Sequence, residues 1–371
     1  MPQHIDANKV YDAKIVHVID CLGVGGAERV LVDICNLLYE ENYQVSVICL
    51  LDKAELDDQL HTQIPVTYIR RSQKFNPFFL LKLRKELKNS DIIHIHLRHV
   101  LRYVSLLFNV FKLHKKKVIV FHDHYGKINT DRNISSFTKR AIFKCTAYVG
   151  VSQQLIDWAA SLSLNSEIIK LSNIVRSIKK KAFKKPNLQE ESQSVSVISI
   201  GNFRPQKNYE FLCQLIAASP NNYNYTIYGA IVDDAYYHKI NQLIIELGIT
   251  DRTTIVTDCE NVKDFISEYD LGVHCAKSET GPLVAIEYMS SQVPFIAYDT
   301  GEVATQVKAD FPNFIKTSFE ISVWLESMNQ ILMKRVDYQT KLETYFNENY
   351  SEDDYLNRCI EIYARLMKIK V

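Results

Sequence analysis

The sequence of 371 residues has no long hydrophobic run and no excess of either charge. It lacks any stretch of about 18 apolar residues, the length that a membrane-spanning helix needs. Its start, MPQHIDANKVYDAK, is polar and unlike a secretory signal peptide. Lys and Arg number 44, Asp and Glu number 43, and 47% of the residues are hydrophobic. These features predict a globular protein of the cytosol.

Paired cysteine motifs are also absent. The chain has no C-x-x-C pair and no histidine at the spacing that zinc sites use. Its eight cysteines lie far apart, at Cys21, Cys35, Cys49, Cys145, Cys213, Cys259, Cys275 and Cys359. We expect them to be reduced thiols that hold no metal.

The length and the hydrophobic pattern predict two domains. A chain of 371 residues exceeds one ordinary core. Short β-branched runs alternate with amphipathic stretches on both sides of a polar segment, which is typical of parallel β-α-β units. We expect an N-terminal domain over 1–175, a linker over 176–194, a second domain over 195–345 and a C-terminal helix over 346–371 that packs back on the first domain. Ligands of such sheets bind beyond the carboxyl ends of the strands, which predicts an active site between the domains.

A glycine-rich turn, CLGVGGAERV, follows the first predicted strand and opens a helix. Gly23, Gly25 and Gly26 let the backbone approach a ligand, and the free amides of a helix start favour an anion or a polar sugar group. Two alternatives remain. The turn can need glycine for its own geometry, or it can serve a dehydrogenase that uses Asp52 to bind a ribose.

The loop GNFRPQKN, residues 201–208, follows the first strand of the second domain. Arg204 and Lys207 stand at the carboxyl end of that strand, where guanidinium and ammonium groups can clamp phosphate oxygens. The alternative is two solvated surface charges.

Two glutamates stand eight residues apart in SETGPLVAIEYMSSQVPFIAYDTGE. Apolar residues surround Glu287 on every side of a predicted helix, and a buried carboxylate needs a partner. The chain has no Lys or Arg between Lys277 and Lys308. A ligand can therefore be the partner of Glu287, with Glu279 in the preceding loop.

The start of the same helix predicts an anion site. Gly281 ends the loop, Pro282 suits the first helical position because it has no N–H, and the amides of Leu283 and Val284 point out of the helix. The two carboxylates would repel phosphate, so both should accept hydrogen bonds from sugar hydroxyls. A sugar on each side of a pyrophosphate is a nucleotide sugar.

Histidines cluster in two predicted strands. His94 and His96 share one face of a strand, where histidines are more often core residues than ligands. His122 and His124 stand at the carboxyl end of another strand. His122 is therefore better placed to reach a ligand, although a core role fits it equally well.

Four stretches of the sequence resemble the retaining glycosyltransferases of family 4: SETGPLVAIE, GGAER, GNFRPQKN and the tail YLNRCIEIYARL. The resemblance covers nearly the whole chain and implies two Rossmann-like doubly wound domains with a cleft between them, the GT-B fold. It implies that Glu279 contacts the transferred sugar, that Glu287 contacts the ribose of the nucleotide and that His122 contacts the donor sugar. It also implies that no metal or other cofactor takes part.

The phosphate-binding loop departs from the family pattern. Asn202 stands where the family usually has an arginine. Either Arg204 replaces that arginine, or the clamp around Lys207 has one cation fewer.

Basic residues dominate a stretch of the first half that includes only two aspartates, Asp123 and Asp131. They are Arg98, Arg102, Lys112, Lys115, Lys116, Lys117, Lys127, Arg132, Lys139, Arg140 and Lys144. The surface can lie on an anionic membrane or form an ordinary solvated face. No recognised RNA-binding module accompanies it, so we expect no nucleic-acid partner.

Together these features predict a transferase that moves a sugar from a UDP-sugar, or from a GDP-sugar, to a lipid-linked or cell-surface glycan. The enzyme would be cytoplasmic or peripheral on the inner face of the cell membrane. The alternatives are an NAD-dependent oxidoreductase and a sugar-nucleotide-binding homologue without catalysis.

Overall fold

The computed structural model describes residues 8–73, 76–128, 131–176, 194–259, 261–279 and 281–369. The chain forms two units, each with its own parallel sheet. Unit 1 contains Met1–Ile174 and Glu352–Val371, and unit 2 contains Val175–Ser351. The predicted linker lies outside the described residues, apart from its two ends.

Unit 1 has a sheet of seven parallel strands in the order β3-β2-β1-β4-β5-β6-β7. The strands are β1 Ile15–Ile19, β2 Val45–Cys49, β3 Val66–Tyr68, β4 Ile92–His96, β5 Val118–Asp123, β6 Ala147–Gly150 and β7 Glu167–Lys170. Every residue of β1, β4 and β5 is buried, as expected for a parallel sheet covered on both faces. The chain reverses its direction across the sheet at β1 and β4, which is where such sheets bind ligands.

Helix α1, Asn8–Tyr11, precedes the first strand of unit 1, and the other helices of residues 8–176 lie between or after the strands. These others are α2 Gly26–Glu40, α3 Pro77–Leu87, α4 Arg98–Phe111, α5 Leu113–Lys116, α6 Ser136–Ile142 and α7 Gln153–Ser161. Side-chain oxygens cap the N-termini of three of these helices. Asn76 accepts from the Phe78 amide at α3, Ser135 from the Thr138 amide at α6, and Ser152 caps α7 in the same way.

Unit 2 has a sheet of six parallel strands in the order β10-β9-β8-β11-β12-β13. The strands are β8 Val195–Ile200, β9 Tyr223–Tyr228, β10 Thr253–Val256, β11 Leu271–His274, β12 Phe295–Tyr298 and β13 Ile315–Lys316. The helices are α8 Tyr209–Ala218, α9 Asp234–Glu246, α10 Lys263–Ile266, α11 Leu283–Ser290, α12 Gly301–Asp310, α13 Ile321–Met333 and α14 Arg335–Asn349. Since β8 and β11 are neighbours, the loops that follow them meet at one edge of this sheet.

A glycine in β11 lets α11 pack closely on the sheet. A Cβ atom at Gly272 would lie 2.7 Å from the ring of Tyr288. The Tyr288 hydroxyl donates to the carbonyl of Ile198 in β8, 3.2 Å away. This contact fixes α11, and with it Glu287, over the two central strands of unit 2.

The last helix, α15, spans Glu352–Ile369 and belongs to unit 1, where it contacts α1 and α2. Three acidic residues in its first turn suit the positive end of the helix dipole. Among the described residues, no helix has the length and the apolar composition of a membrane span. All eight cysteines are free thiols, as predicted.

Candidate active site

The loop after β8 places its two cations in different surroundings. Pro205–Lys207 form a short 3-10 helix, and Asn208 begins α8 with a φ of 56°. Arg204 is exposed. The Lys207 ammonium instead donates to the Glu279 carboxylate, with 2.6 Å between Nζ and Oε1, and its side chain is only 19% exposed. The solvated-charge alternative is therefore wrong for Lys207.

Asn202 has a structural contact at the position where the family usually has arginine. Its Oδ1 atom accepts from the amide of Ala230, 3.3 Å away, in the segment that follows β9. Asn202 thus ties the loop after β8 to the loop after β9.

Glu279 lies at the centre of a compact charged group in unit 2. Its amide donates to the Thr300 hydroxyl at 3.0 Å, and its Oε1 atom lies 3.7 Å from Nε2 of His274. Burial alone would raise the pKa of Glu279, but the charge of Lys207 and the nearby His274 ring outweigh burial and lower that pKa to about 2. Glu279 is therefore ionised at every physiological pH.

His274 is a site residue that the sequence analysis missed. It is the last residue of β11, its side chain is 2% exposed, and burial lowers its pKa against the opposing effect of Glu279. Its position at the carboxyl end of a strand, five residues before Glu279, was the available signal. A backbone hydrogen bond of 2.8 Å from Lys277 to Gln206 joins this loop to the one after β8.

Helix α11 begins one residue later than predicted. Pro282 is its N-cap with a ψ of 106°, so Leu283 is the first helical residue. Among the described residues no side chain caps the helix, and its first turn contains no acidic residue, so the amides of Leu283 and Val284 are suited to an anion. Glu287 lies in the same helix and is 4% exposed. Gly281 precedes Pro282, and Thr280 lies outside the described residues.

The glycine turn of unit 1 does not need glycine for its backbone. Gly25 caps α2 with an extended φ of −143°, and Gly26 is the first helical residue. A Cβ atom on Gly25 would meet the carboxylate of Glu28, which is the movable end of a side chain. The tight-turn alternative is therefore weak at Gly25, and the ligand contact stays a prediction.

Five histidines meet on the sheet of unit 1. Parallel pairing sets His17 of β1 beside His94 of β4, and His96 of β4 beside His122 of β5. His124 follows β5 at a distance of 3.2 Å from His96. Burial lowers the pKa of all five rings, to about 3 for His17 and His124, so the cluster is neutral. The predicted ligand contact His122 is itself fully buried.

Neutral imidazoles could hold a transition metal here. Two groups of three, His17 with His94 and His96, and His96 with His122 and His124, have ligand nitrogens within 4.8 Å of one another. Their rings, however, are stacked: the planes of His94 and His96 differ by 11°. Imidazole lone pairs lie in the ring plane, so these nitrogens would converge on one ion only after the rings rotate.

A cavity of about 390 Å³ lies beside this cluster within unit 1. Its lining includes His124, Arg102 and the ion pair of Arg98 with the buried Asp123, whose closest atoms are 2.7 Å apart. Arg98 also lies against the ring of Tyr125, 4.0 Å from the centroid. Arg98 is thus part of a buried ion pair, whereas the prediction placed it on a free basic surface.

A second cavity, of about 460 Å³, shares Arg102 with the first and adds Arg71 and Phe137. A third, of about 720 Å³, shares Phe137 and is lined by Lys139, Arg140 and Lys144. Several cations and the exposed ring of Phe137 therefore lie on the face that α4 and α6 form.

Two doubly wound parallel-sheet units, with a charged group at the carboxyl ends of β8 and β11, define a glycosyltransferase enzyme of the GT-B fold. The chain belongs to glycosyltransferase family 4: residues 24–173 match the family described as Glycosyltransferase Family 4, and residues 179–352 match Glycosyl transferases group 1. Membership of this family decides against the dehydrogenase hypothesis for the glycine turn.

Three known proteins illustrate the likeness. The capsular polysaccharide biosynthesis glycosyltransferase CapH of Staphylococcus aureus is 26% identical over 70% of this chain and 74% of its own. A GDP-Man:Man(3)GlcNAc(2)-PP-Dol alpha-1,2-mannosyltransferase of Dictyostelium discoideum is 21% identical over 92% of this chain and 82% of its own. The structure of Anabaena Alr3699/HepE in complex with UDP and glucose has a TM-score of 0.79 and 17% identity, and covers 95% of this chain and all of that one.

Proposed function

We propose that this glycosyltransferase transfers a sugar from a nucleotide diphosphate sugar, with retention of the anomeric configuration, to a lipid-linked or cell-surface glycan. The observation that carries the proposal is the meeting of Lys207 and Glu279 in unit 2. A cation for the diphosphate and a carboxylate for the sugar stand side by side, and the same loop leads from Glu279 to the open start of α11.

Different residues of unit 2 bind different parts of the donor. Lys207 has three N–H donors, so it can hold Glu279 and a phosphate oxygen together. The amides of Leu283 and Val284 bind the diphosphate at the helix start. Glu279 accepts from hydroxyls of the transferred sugar, and Glu287 accepts from hydroxyls of the ribose. Arg204, exposed in the same loop, adds a second cation for the diphosphate.

Transfer then proceeds by positioning and by charge stabilisation. The acceptor hydroxyl forms a bond to the anomeric carbon, the bond from that carbon to the diphosphate oxygen breaks, and the leaving oxygen takes the electron pair. A phosphate oxygen of the donor accepts the proton of the acceptor hydroxyl, and no metal takes part. Lys207 stabilises the charge that grows on the diphosphate. Gly25, Gly26, Asn202, Gly281, Pro282 and His122 complete the predicted donor contacts.

The names of the relatives support a UDP-sugar or a GDP-sugar as the donor and a glycan as the acceptor. HepE has been crystallised with UDP and glucose, which favours a UDP-sugar. The Dictyostelium relative uses a GDP-sugar, so GDP stays the second choice. CapH serves capsular polysaccharide biosynthesis, which favours a cell-surface glycan as the acceptor.

A thermal-shift panel tests the proposal on the purified full-length protein. We expect UDP or GDP, and one of their sugars, to raise the melting temperature, because a ligand at a hundred times its Kd adds about 2.7 kcal/mol to stability. NAD should have no effect. Release of the nucleoside diphosphate from that same sugar nucleotide would separate an enzyme from a binding homologue. A protein that binds no nucleotide of the panel would contradict the proposal.

A further inference from the structure

The five buried histidines of unit 1 and Tyr363 of α15 form one continuous line of contacts. Tyr363 is 1% exposed and stands between two branches. The nitrogen and oxygen atoms along the line are separated by 3.2 Å for His124–His96, 3.0 Å for His96–His17, 3.5 Å for His17–Tyr363, 2.7 Å for Tyr363–His94 and 3.3 Å for His94–His122.

Neutral imidazole rings can make all of these hydrogen bonds only if every group donates in the same direction along the line. A neutral ring has one N–H and one lone pair, and His17, His94 and His96 each use both nitrogens. The tautomer of one ring therefore determines the tautomers of the rings next to it. Tyr363 joins the two branches because a hydroxyl can donate one hydrogen bond and accept another.

The distances favour one direction. The contact of 2.7 Å between the Tyr363 oxygen and Nδ1 of His94 is typical of a hydroxyl that donates. His94 then donates from Nε2 to His122, and the other branch donates towards the Tyr363 oxygen. No atom meets hydrogen-bond geometry at Nε2 of His122 among the described residues, so the line ends at this N–H.

The free end of the line reaches the cavity described above. His124 uses Nε2 towards His96, so in this direction its Nδ1 atom keeps a lone pair. His124 lines the cavity of about 390 Å³. The line therefore connects a cavity of unit 1 with His122, the residue predicted to contact the donor sugar.

We propose that Tyr363 is a positioning residue of the transferase, which holds the five imidazoles in one tautomeric direction and so fixes the rings of His122 and His124. The proposal rests on the proposed function. It makes α15 part of the reaction machinery of unit 1, although the helix lies more than 200 positions from both histidines in the sequence.

The same nitrogens offer a competing chemistry. A bound transition metal would occupy lone pairs that the hydrogen-bonded line needs, so the line and a filled metal site exclude each other. The stacked rings favour the hydrogen-bonded line.

The test compares Tyr363→Phe with Tyr355→Phe in the full-length protein labelled with ¹⁵N-histidine. Both variants remove one buried hydroxyl from α15, but the Tyr355 hydroxyl makes no hydrogen bond among the described residues. Long-range ¹H–¹⁵N correlation spectra report the tautomer of each ring. We expect single tautomers in the parent and in Tyr355→Phe, and averaged tautomers for His94 and His17 in Tyr363→Phe.

Turnover of the sugar nucleotide found by the thermal-shift panel gives the functional measurement. Tyr363→Phe should lower kcat about tenfold at an unchanged KM, within the range that misplacement of a reacting group costs, and Tyr355→Phe should match the parent. If Tyr363→Phe does not fold, His94→Asn serves instead, because it keeps a polar atom towards Tyr363 and removes the link to His122.

Each adverse outcome has its own meaning. Averaged tautomers in the parent, or a stoichiometric Zn²⁺-induced shift of the ring nitrogens, would overturn the hydrogen-bonded line. Altered tautomers with unchanged kcat would overturn the positioning role and leave the proposed function intact. A parent that turns over no donor would overturn the proposed function and, with it, the role of Tyr363 in transfer.

Discussion

In the proposed mechanism, the ion pair of Glu279 and Lys207 serves both folding and catalysis. Both side chains are shielded from water, at 16% and 19% exposure. The attraction between the two charges therefore offsets the loss of hydration that each charge suffers on burial. A bound diphosphate would give Lys207 a second anion. The pair therefore holds the cation in place before the donor arrives, which is the preorganisation that transition-state stabilisation needs.

Replacing Lys207 should lower turnover more than donor affinity. We expect Lys207→Ala to reduce kcat about 10²-fold, as the loss of one preorganised donor to a developing anion does. The melting temperature should also fall, because Glu279 stays buried without its cation. Arg204→Ala is the matched control from the same loop: its exposed side chain predicts an unchanged melting temperature. Near-normal kcat in Lys207→Ala would remove Lys207 from the mechanism.

Glu279 should make stability depend on acid. Its pKa is lowered from 4.5 to about 2, so the ionised carboxylate stabilises the folded state above pH 4.5, and this contribution is lost as the pH falls towards 2. Urea unfolding of the parent and of Glu279→Gln should show a constant difference in the free energy of unfolding between pH 5 and 7, and a shrinking difference below about pH 4.5. A difference that stays constant down to pH 3 would contradict the ion pair.

Glu287 should act on nucleotide binding. An amide accepts from ribose hydroxyls less strongly than a carboxylate, so Glu287→Gln should weaken UDP or GDP binding by about 1.5 to 3 kcal/mol. Isothermal titration calorimetry measures the change. Glu210→Gln is the control in the same unit, since Glu210 contacts Tyr236 and Lys239 of α9. Equal affinity in the parent and in Glu287→Gln would refute the ribose contact.

Sequence reasoning located single charged residues better than it located their partners. The sequence singles out Glu279 and Lys207 by their positions after strands, and the structure shows that they contact each other. Their contact depends on β8 and β11 being neighbours, and hydrophobic periodicity identifies strands without giving their order in a sheet. For the same reason the sequence does not predict that His17 lies beside His94 and His96, because these side chains come from different strands.

Helix α11 has three features in eight residues: it begins without a side-chain cap among the described residues, it buries Glu287, and it packs Tyr288 on the sheet. Its apolar composition buries every residue from Val284 to Met289. A helix so firmly packed keeps its amides fixed, which favours anion binding at little entropic cost.

Removing one amide from the start of α11 should weaken the donor without unfolding the helix. Leu283→Pro deletes the first helical N–H, and proline is tolerated there because the preceding residue is already extended, with a ψ of 106°. We expect about a tenfold loss of UDP affinity, equal to roughly 1.4 kcal/mol. Leu283→Ala is the control, because it removes the side chain and keeps the amide. If both variants bind alike, the amide makes no contact with the donor.

Most elements could be predicted because their patterns are strong. The strands β1, β4, β5, β8, β11 and β12 and the amphipathic helices follow the predicted alternation of β-branched runs with amphipathic stretches. The edge strands β3, β7 and β13 were missed, since they are two to four residues long and mostly half-buried. The C-terminal helix predicted over 346–371 begins later, because residues 346–349 belong to α14 and α15 spans Glu352–Ile369.

The whole molecule has a net charge of +1, but one of its surfaces has an excess of basic residues. Arg102 and Arg140 are exposed on the face formed by α4 and α6, beside Phe137, which is 41% exposed. Basic residues next to exposed aromatic rings are typical of surfaces that contact anionic lipids. An acceptor anchored in a membrane would bring the enzyme to such a surface.

The full-length protein should therefore bind anionic vesicles in a salt-dependent manner. Sedimentation with phosphatidylglycerol vesicles should be strong at low salt and weaken at physiological ionic strength, where charges are screened beyond about 8 Å. Arg102→Glu/Arg140→Glu should lose this binding. Lys334→Glu/Lys341→Glu changes the net charge equally at two exposed residues of unit 2 and should keep it. Equal losses in the two double variants would mean that only total charge matters, and no binding by the parent at low salt would favour an acceptor that is not membrane-bound.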